Sequence, residues 1–326
     1  MVVQDAITLS RWVEVVRPRN LAGPIADGIV SVLDLVFPPA AVARFAEQVR
    51  LEELVRMTVG TAIFVAGLLI LVFALEYFTG ADRSSYRSRV FRQDVLYTLF
   101  YHGGFYNMLL WAGLANVLSP HLAFLRVDAL AGLPGPVHWV MFWTAADLLY
   151  YWTHRWQHTW GPLWAIHSVH HSQEEMTFAS TFRFHPLDQL TNSLLGAVLL
   201  SVIGVPTFSW LPLYVAMQVF DAIQHSSLTW GYGRAYRVLV SPRFHAFHHS
   251  ADPRHHNRNY SKIFSFWDFL FGTAVEGPVR PDRLGVDGMP VPRTLAAQML
   301  APFRILFRTR RREAAAASAS APVPAP

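Results

Sequence analysis

The sequence predicts an all-α, polytopic integral membrane protein with about four main transmembrane helices in two hairpins and a helical cap on the cytoplasmic side. Three observations predict this fold class. Apolar types make up 52% of the 326 residues and charged types only 15%, whereas about 25% of the residues in soluble domains are charged. Four long apolar runs follow one another along the chain, and twelve of the fifteen histidines lie between His154 and His256.

The four apolar runs are long enough to cross a bilayer, which takes about 20 residues of helix. A single helix over the last run would measure about 50 Å and exceed one crossing. Gly204 and Pro206 interrupt that run, so we expect two antiparallel spans or a hairpin that penetrates the membrane. A soluble helical protein with unusually long buried helices is the alternative. The runs are 58–78, 95–118, 136–153 and 189–222.

The arginines predict the orientation of the chain. Residues 79–94 hold four arginines, whereas 119–135 hold only Arg126. The positive-inside rule places 79–94 in the cytoplasm, and the later spans then return there near residues 153 and 223. The histidine-rich segments therefore lie on the cytoplasmic side. Lys262 is the single lysine beside twenty-six arginines, a ratio typical of GC-rich bacteria, so we expect a bacterial inner membrane.

The chain divides into three predicted parts. Residues 1–57 form an N-terminal interfacial or amphipathic segment, because 21–37 is too polar for a span. Residues 58–275 form the membrane domain with its cap. Residues 276–326 form a basic C-terminal segment, in which 294–312 has the pattern of a membrane-surface helix although Pro302 weakens it, followed by a disordered Ala/Pro-rich tail.

Three histidine clusters carry the candidate chemistry. Positions i, i+3 and i+4 of an α-helix share one face, so an HxxHH cluster presents three imidazoles to one side and an HxxxH cluster presents two. Eight nitrogen ligands exceed what one ion takes, whereas two ions would have about four each. We therefore predict a dinuclear metal site in the cap. The clusters are His154 and His158, then His167, His170 and His171, then His245, His248 and His249.

The sequence lacks the residues that several other kinds of chemistry require. The chain has no cysteine, which excludes disulfides, thiolate zinc sites, iron–sulfur clusters and a cysteine nucleophile. The sequence contains no HExxH, GxSxG, Walker or GxGxxG string, so we expect electrons to come from a separate donor. The low charge density argues against nucleic acid as a partner despite a pI of about 9.7. Imidazole ligands by themselves suit Zn, Cu, Fe and Ni alike.

The order HxxxH, HxxHH, HxxHH in a membrane protein resembles the fatty acid hydroxylase/sterol desaturase superfamily of membrane di-iron enzymes. Further strings over about residues 80–275 agree with that resemblance, with Ser261 in place of the usual glycine of the family's closing string. The resemblance extends to the superfamily and does not specify a substrate. The matching strings are Asp147-x-x-Tyr150-x-x-x-His154-Arg155, Arg183-Phe-His185-Pro186, His225-Ser226, Asn259-Tyr260 and Trp267 to Thr273.

The resemblance implies two iron ions that activate O2 and abstract hydrogen from an unactivated C–H bond. The product is an alcohol or, after a second abstraction, a double bond. The implied substrate is lipid-like (fatty acyl, sterol, hopanoid or carotenoid) and comes from the membrane lipids. The implied partner is an external electron-transfer protein or reductase. Aromatic residues in 97–111 and 139–152 either line an apolar tunnel for the substrate or serve ordinary packing.

Further residues are predicted to support the metal ligands or to join them. A metal-bound histidine usually donates its other N–H to a carboxylate or carbonyl. Asp147 lies seven residues before His154 and Asp221 four before His225, each on one helical face, and Asn257 is a third candidate. We favour His225 as a ninth ligand. His185 is left open between ligand and ring support, whereas the remaining histidines are expected to be solvated, structural or interfacial.

Two alternatives from other functional classes remain at this point. A membrane electron carrier with b-type haem would need histidines that face each other across the spans. A metal-binding transport or scaffold protein would need ionisable residues spread along the spans. Both patterns fit the sequence less well, because the histidines cluster outside the apolar runs.

Overall fold

The computed structural model describes residues 22–48, 51–102, 118, 121–204, 210–286, 292 and 294–319. These residues form helices and loops without a β-strand, apart from one isolated bridge between Ser250 and Leu284. The predicted all-α class is confirmed for this part of the chain. The helices are α1 Ala22–Leu33, α2 Pro39–Gln48, α3 Leu51–Phe78, α4 Arg89–His102, α5 Asp128–Ala131, α6 Gly135–Thr159, α7 Gly161–His171, α8 Pro186–Ile203, α9 Trp210–Gln224, α10 Pro242–His248, α11 Phe266–Leu270 and α12 Leu295–Ala319.

Each predicted apolar run lies on a helix wherever the structure describes it. The runs 58–78 and 136–153 lie inside α3 and α6, and the run from residue 95 begins within α4, while 103–117 lie outside the described residues. The long run 189–222 is two helices, α8 and α9, with Gly204 at a φ of 82° after the first. A positive φ is a conformation that glycine adopts without strain, so the break falls where a helix cannot continue.

One helix of the described chain, Pro186–Ile203, is both long and apolar enough to cross a membrane. Shorter apolar helices cover Gly23–Leu33, Ala66–Phe78 and Leu295–Phe307. The four-span topology, the two hairpins and the cytoplasmic orientation of the cap stay predictions. The three-part division at residues 57 and 275 also stays a prediction.

The C-terminal helix α12 agrees with the helix predicted over 294–312 and extends beyond it. It runs through Pro302 and continues to Ala319, whereas a disordered tail was expected from residue 313. Proline removes one backbone hydrogen bond without ending this helix, and the alanine run that follows has the highest intrinsic helix propensity. Residues 320–326 lie outside the described part.

Side-chain hydrogen bonds fix α12 to the body of the protein. The Tyr97 hydroxyl donates to Gln298 Oε1 at 2.8 Å, and Gln298 Nε2 donates to Gln93 Oε1 at 3.0 Å. Leu295 and Met299 pack on a buried cluster with Val169 of α7. The C-terminal helix therefore lies directly against a histidine-bearing helix.

Two buried polar contacts tie the helices α3 and α4 to the loops that carry Arg183 and Ser227. The Arg183 guanidinium donates to Asp94 Oδ1 at 2.6 Å, and both side chains are almost completely buried. Glu76, near the end of α3, accepts from the backbone N–H of Ser227 at 2.6 Å and from the Tyr86 hydroxyl. A buried ion pair contributes little net stability, but removing one partner leaves a costly unpaired charge. These contacts therefore fix where the two loops lie against the helices.

Candidate metal centre

The histidines come from three helix ends and one loop. His154 and His158 share a face of α6, and His167, His170 and His171 close the last turn and a half of α7. The third cluster lies on the short helix α10 and at its C-cap, His249. Pro242 in the first turn and the Ser241 hydroxyl, which accepts the Phe244 N–H at 3.1 Å, start that helix.

Nine histidines converge into two groups, in each of which the candidate ligand nitrogens all lie within 4.8 Å of one another. The two groups adjoin, since the rings of His171 and His249 stack with centroids 4.4 Å apart. One group, the five-histidine group, is His154, His158, His167, His171 and His248. The other, the four-histidine group, is His170, His225, His245 and His249.

Ring hydrogen bonds orient the five-histidine group. The Nδ1–H of His154 donates to the Tyr260 carbonyl and that of His248 to the Arg258 carbonyl, both at 2.7 Å. The Nδ1–H of His167 donates to Asp188 Oδ2 at 2.9 Å. In a neutral imidazole the other nitrogen then carries a lone pair. These bonds leave Nε2 of each ring as the metal-binding atom.

Two rings of the four-histidine group, those of His170 and His225, are oriented in the same way. The Nδ1–H of His170 donates to the Arg183 carbonyl at 3.1 Å, and that of His225 donates to the Asp221 carbonyl at 2.9 Å. Their Nε2 atoms, both left with lone pairs, face each other at 3.4 Å. Two lone pairs at this distance repel unless a cation lies between or beside them.

Short distances between nitrogens recur throughout the centre. Nε2 of His154 and His167 are 3.1 Å apart, and His245 Nε2 lies 3.0 Å from His225 Nε2 and 3.1 Å from His249 Nε2. Two imidazoles on adjacent positions of one metal, with bonds of about 2.1 Å, would have nitrogens about 3 Å apart. The buried Nε2 atoms of His158, His171 and His248 have no hydrogen-bond partner in the described part. The residues thus fit metal ions.

Burial lowers the pKa of eight of the nine imidazoles and so favours their neutral form. It lowers the pKa of His154 well below its usual range, and the neighbouring His248 and His167 lower it further. Burial also lowers the pKa of His248 to about 3, although its bond to the Arg258 carbonyl opposes the shift. The same cause lowers the pKa of His158, His170, His171, His225, His245 and His249. Metal binding requires the neutral form, so the site is prepared for it.

The segment Arg258 to Thr273 holds the carbonyls that orient His154 and His248. Asp268 accepts the backbone N–H groups of Tyr260 at 2.8 Å and Ser261 at 2.9 Å. Asn259, at a φ of 57°, donates its amide to the Phe244 and Val275 carbonyls. This segment is therefore fixed by its own buried polar side chains. It coincides with the closing string noted in the sequence.

The structure brings together all nine histidines predicted as metal ligands, His225 included. Their function as ligands stays a prediction. His185 joins neither group, because its Nε2–H donates to the Met299 carbonyl at 3.2 Å and its Nδ1 accepts the Leu187 N–H. His138 donates to the Ile203 carbonyl at 3.0 Å, and His255 hydrogen-bonds Ser250 at 2.9 Å. The side chain of His102 lies outside the described part.

Of the three residues predicted to orient the rings, Asp147 and Asn257 do not contact a ring of either histidine group. Asp147 accepts the N–H groups of Ile263 and Phe264 at 2.9 and 3.0 Å and the indole N–H of Trp267 at 3.1 Å. Seven residues of helix span about 10 Å, too far for a short aspartate to reach His154. Asp147 instead anchors the loop beside the ligand carbonyls.

Of the other two predicted supports, Asp221 contacts its histidine as expected and Asn257 does not. Asp221 does support His225, but through its backbone carbonyl, while its carboxylate pairs with Lys262 at 2.9 Å. Asn257 is exposed at a φ of 58° in a turn, so it serves the backbone and not a ring. Asn259, two residues further on, is the buried asparagine of this segment.

The sequence interpretation missed Asp188 as the partner of His167 and the carbonyls of Tyr260, Arg258 and Arg183. A carbonyl exists at every residue, so no sequence pattern could single these out. Asp188 had a weak signal, since it is an acid in the first turn of an otherwise apolar helix.

Residues 139–273 match the fatty acid hydroxylase family. They span α6 to the loop after α11 and include all nine histidines of the two groups. This part of the chain is therefore similar to the fatty acid hydroxylase family, which agrees with the resemblance seen in the sequence.

Several curated proteins are similar to this chain. Ornithine lipid hydroxylase OlsE of Rhizobium tropici is 32% identical over 162 residues, 48% of each chain. Alkylglycerol monooxygenase of Danio rerio is 30% identical over 41% of this chain and 30% of its own length. Delta(7)-sterol 5(6)-desaturase erg3B of Aspergillus fumigatus is 25% identical over 45% and 43%. By their names these relatives are oxidoreductases.

The match covers less than half the length of each of these relatives. No solved structure matches the chain.

Proposed function

We propose that this protein is a membrane-bound, di-iron oxidoreductase that uses O2 to hydroxylate or desaturate an unactivated C–H bond of a lipid-like substrate. The observation that carries the proposal is the convergence of nine buried histidines into two adjoining groups. One ion in each group matches the short nitrogen separations and the unpartnered Nε2 atoms. The similarity to the fatty acid hydroxylase family and the three oxidoreductase relatives support iron among the metals that imidazole accepts.

Within this proposal the chain's residues hold, orient and enclose the metals. The five-histidine group would hold one iron and the four-histidine group the other. When bound, iron supplies the O2 chemistry that breaks a strong C–H bond. The carbonyls of Tyr260, Arg258 and Arg183 and the carboxylate of Asp188 keep the Nε2 lone pairs pointing inward. The buried surroundings exclude water from the reaction.

The substrate class follows from the apolar helices and from the relatives. The helix Pro186–Ile203, long enough to cross a membrane, begins three residues after Arg183, whose carbonyl orients His170. A lipid in the bilayer would therefore reach the metal centre from this side. The relatives' names contain an ornithine lipid, an alkylglycerol and a sterol. Membrane lipids of this broad kind, with electrons from an external reductase, are the proposed partners.

The haem alternative fits the geometry poorly. Two axial imidazole nitrogens on opposite faces of a haem lie about 4 Å apart, twice a metal–nitrogen bond, with the macrocycle between them. The facing Nε2 atoms here lie 3.0 to 3.4 Å apart, and the rings contact one another directly. This leaves no space for a porphyrin plane between them.

The proposal is tested by expressing the chain in a bacterial host that lacks a relative and comparing lipid extracts by mass spectrometry. We expect an O2-dependent lipid species that has gained one oxygen atom or lost two hydrogen atoms. His170→Ala should reduce this product more than about 100-fold, beyond the effect of losing an orienting group, and should leave the protein in the membrane fraction.

His256→Ala, which removes an exposed histidine outside both groups, is the matched control and should retain the product. Equal product from wild type and His170→Ala would contradict the proposal. Loss of His170→Ala from the membrane would assign that histidine to folding instead.

A further inference from the structure

One ligand ring of the four-histidine group is stacked on an aromatic ring from a neighbouring segment. The rings of His170 and Phe184 have centroids 4.4 Å apart and are inclined by only 10°. We propose that Phe184 is a positioning residue for His170, and that the C-terminal helix α12 acts on the metal centre through it. This inference rests on the metal site proposed above, and it adds a helix that lies beyond the matched domain, residues 139–273.

The stack supplies a constraint that the hydrogen bond to His170 does not. The bond from its Nδ1–H to the Arg183 carbonyl, at 3.1 Å, fixes one point of the ring. A ring held at one point can still tilt about that bond, which would swing Nε2 away from its neighbours. The flat face of Phe184 restricts this tilt, since offset-stacked rings resist rotation. Nε2 therefore stays 3.4 Å from the Nε2 of His225.

The backbone of Phe184 is itself held in place. The Tyr101 hydroxyl of α4 donates to the Phe184 carbonyl at 2.7 Å. The preceding residue, Arg183, is held by its buried ion pair with Asp94. The Phe184 ring is therefore attached to a backbone segment that these contacts hold in place.

The helix α12 supports the same segment from the outside. Leu295 and Met299 pack with Phe184 against the buried residues Tyr97, Tyr101 and Val169. His185, next to Phe184, donates from Nε2 to the Met299 carbonyl at 3.2 Å. One turn of α12 therefore contacts His185 and packs on the same buried cluster as Phe184, and we infer that its docking maintains the stack.

The effect should be confined to one of the two groups. Phe184 stacks on His170, a member of the four-histidine group. The other group has different aromatic neighbours: Trp164 lies 5.1 Å from His158, Tyr150 lies 5.2 Å from His154 and Tyr260 lies 5.4 Å from His158. Loss of the Phe184 ring should therefore weaken the binding of one metal ion and leave the binding of the other unchanged. A general loss of folding would weaken both.

The experiment titrates Co2+ into the purified, metal-stripped full chain in detergent and follows the d–d absorption bands. Wild type should take up two equivalents. Phe184→Leu keeps an apolar side chain of similar volume but removes the flat face. This variant should lower the affinity for one equivalent of Co2+ about 10- to 100-fold, the usual effect of losing a group that orients a ligand. The absorption bands of that equivalent alone should change.

Three further variants complete the test. Phe184→Tyr retains the ring and should restore the wild-type titration. Met299→Ala, which shortens an α12 side chain on the buried cluster that Phe184 also contacts, should lower the affinity for the same equivalent to a smaller extent. Phe307→Ala removes an exposed ring of α12 and should change nothing.

The outcomes separate this inference from the proposed function. Wild-type protein that binds no Co2+ would contradict the metal centre itself. Two wild-type equivalents with unchanged binding in Phe184→Leu would overturn only the positioning role. Equal weakening of both equivalents, or a Phe184→Tyr variant as weak as Phe184→Leu, would overturn it as well.

Discussion

Asp188 is the one carboxylate in direct hydrogen-bond contact with a ring of the two histidine groups in the described chain. It accepts the Nδ1–H of His167 at 2.9 Å and the side-chain amide of Gln157, and its own side chain is 2% exposed. A carboxylate partner raises the basicity of a ligand imidazole more than a carbonyl does. His167 is therefore expected to be a strong ligand of the five-histidine group.

Replacing that carboxylate should weaken the binding of one metal ion. Asp188→Asn keeps the shape but removes the negative charge, so we expect the metal affinity of the five-histidine group to fall about 10- to 100-fold. Isothermal titration with Co2+ measures the change. Asp128→Asn, at an exposed aspartate of α5, is the control and should bind as wild type does. Unchanged affinity in Asp188→Asn would show that the carboxylate does not act on the metal.

Sequence spacing predicted which histidines share a helical face, but it did not predict their partners on other helices. The i, i+3 and i+4 spacing placed eight histidines on three helical faces, and these faces do meet. Spacing within a helix carries no information about partners from other helices. Asp188 lies 21 residues from His167, on a different helix, so its contact depends on tertiary packing that no local pattern encodes.

At the scale of elements, the segment Arg258 to Thr273 links the metal centre to the helices around it. Asp147 of α6 holds its middle through two backbone N–H groups, and Asp268 closes it internally by accepting from Tyr260, Ser261 and Thr273. The segment presents the carbonyl of Tyr260 to His154 at 2.7 Å. Its conformation thus determines the direction of a ligand ring.

Removing the Asp268 carboxylate, which holds the two ends of this segment together, should destabilise the protein. Asp268→Ala leaves two buried N–H groups and a hydroxyl without their acceptor, and each unsatisfied group costs about 1–3 kcal/mol. We expect the free energy of unfolding to fall by about 3 kcal/mol or more, seen as a lower midpoint in thermal unfolding followed by tryptophan fluorescence in detergent.

The matched control is Asp282→Ala, at an exposed aspartate of the following loop. It should unfold at the wild-type temperature. A midpoint for Asp268→Ala equal to that of the control would contradict the closing role of Asp268.

The positions of the helices were largely predictable, whereas their ends and the loops were not. The apolar runs located α3, α6 and the pair α8 and α9, and Gly204 located the break within that pair. The extent of α12 was missed, because proline and a low-complexity composition both argue against helix when the neighbours of a segment are unknown. Its contacts with Tyr97 and Gln93 provide the stabilisation that the local sequence does not show.

At the scale of the whole molecule, the apolar runs and the histidines belong to one arrangement. The histidine groups lie at the ends of α6, α7 and α9 and on α10. A metal centre placed there would meet a lipid where it leaves the bilayer. The inferred orientation, with the cap in the cytoplasm, would also expose the centre to a soluble reductase.

The orientation is testable because the chain has no cysteine of its own. Single cysteines can be introduced at three exposed positions by Arg87→Cys, Asp128→Cys and His256→Cys. A membrane-impermeant maleimide added to spheroplasts should label only the Asp128→Cys variant, since residues 119–135 are predicted to lie outside. The other two variants should be labelled after the membrane is permeabilised. Labelling of Arg87→Cys or His256→Cys in sealed spheroplasts would contradict the proposed topology.

The most direct test of the metal centre is an anomalous difference map recorded at the iron edge from crystals of the iron-loaded protein. We predict two peaks a few ångströms apart, one within the five-histidine group and one within the four-histidine group. A single peak, peaks outside these groups, or the planar density of a haem would contradict the di-iron site.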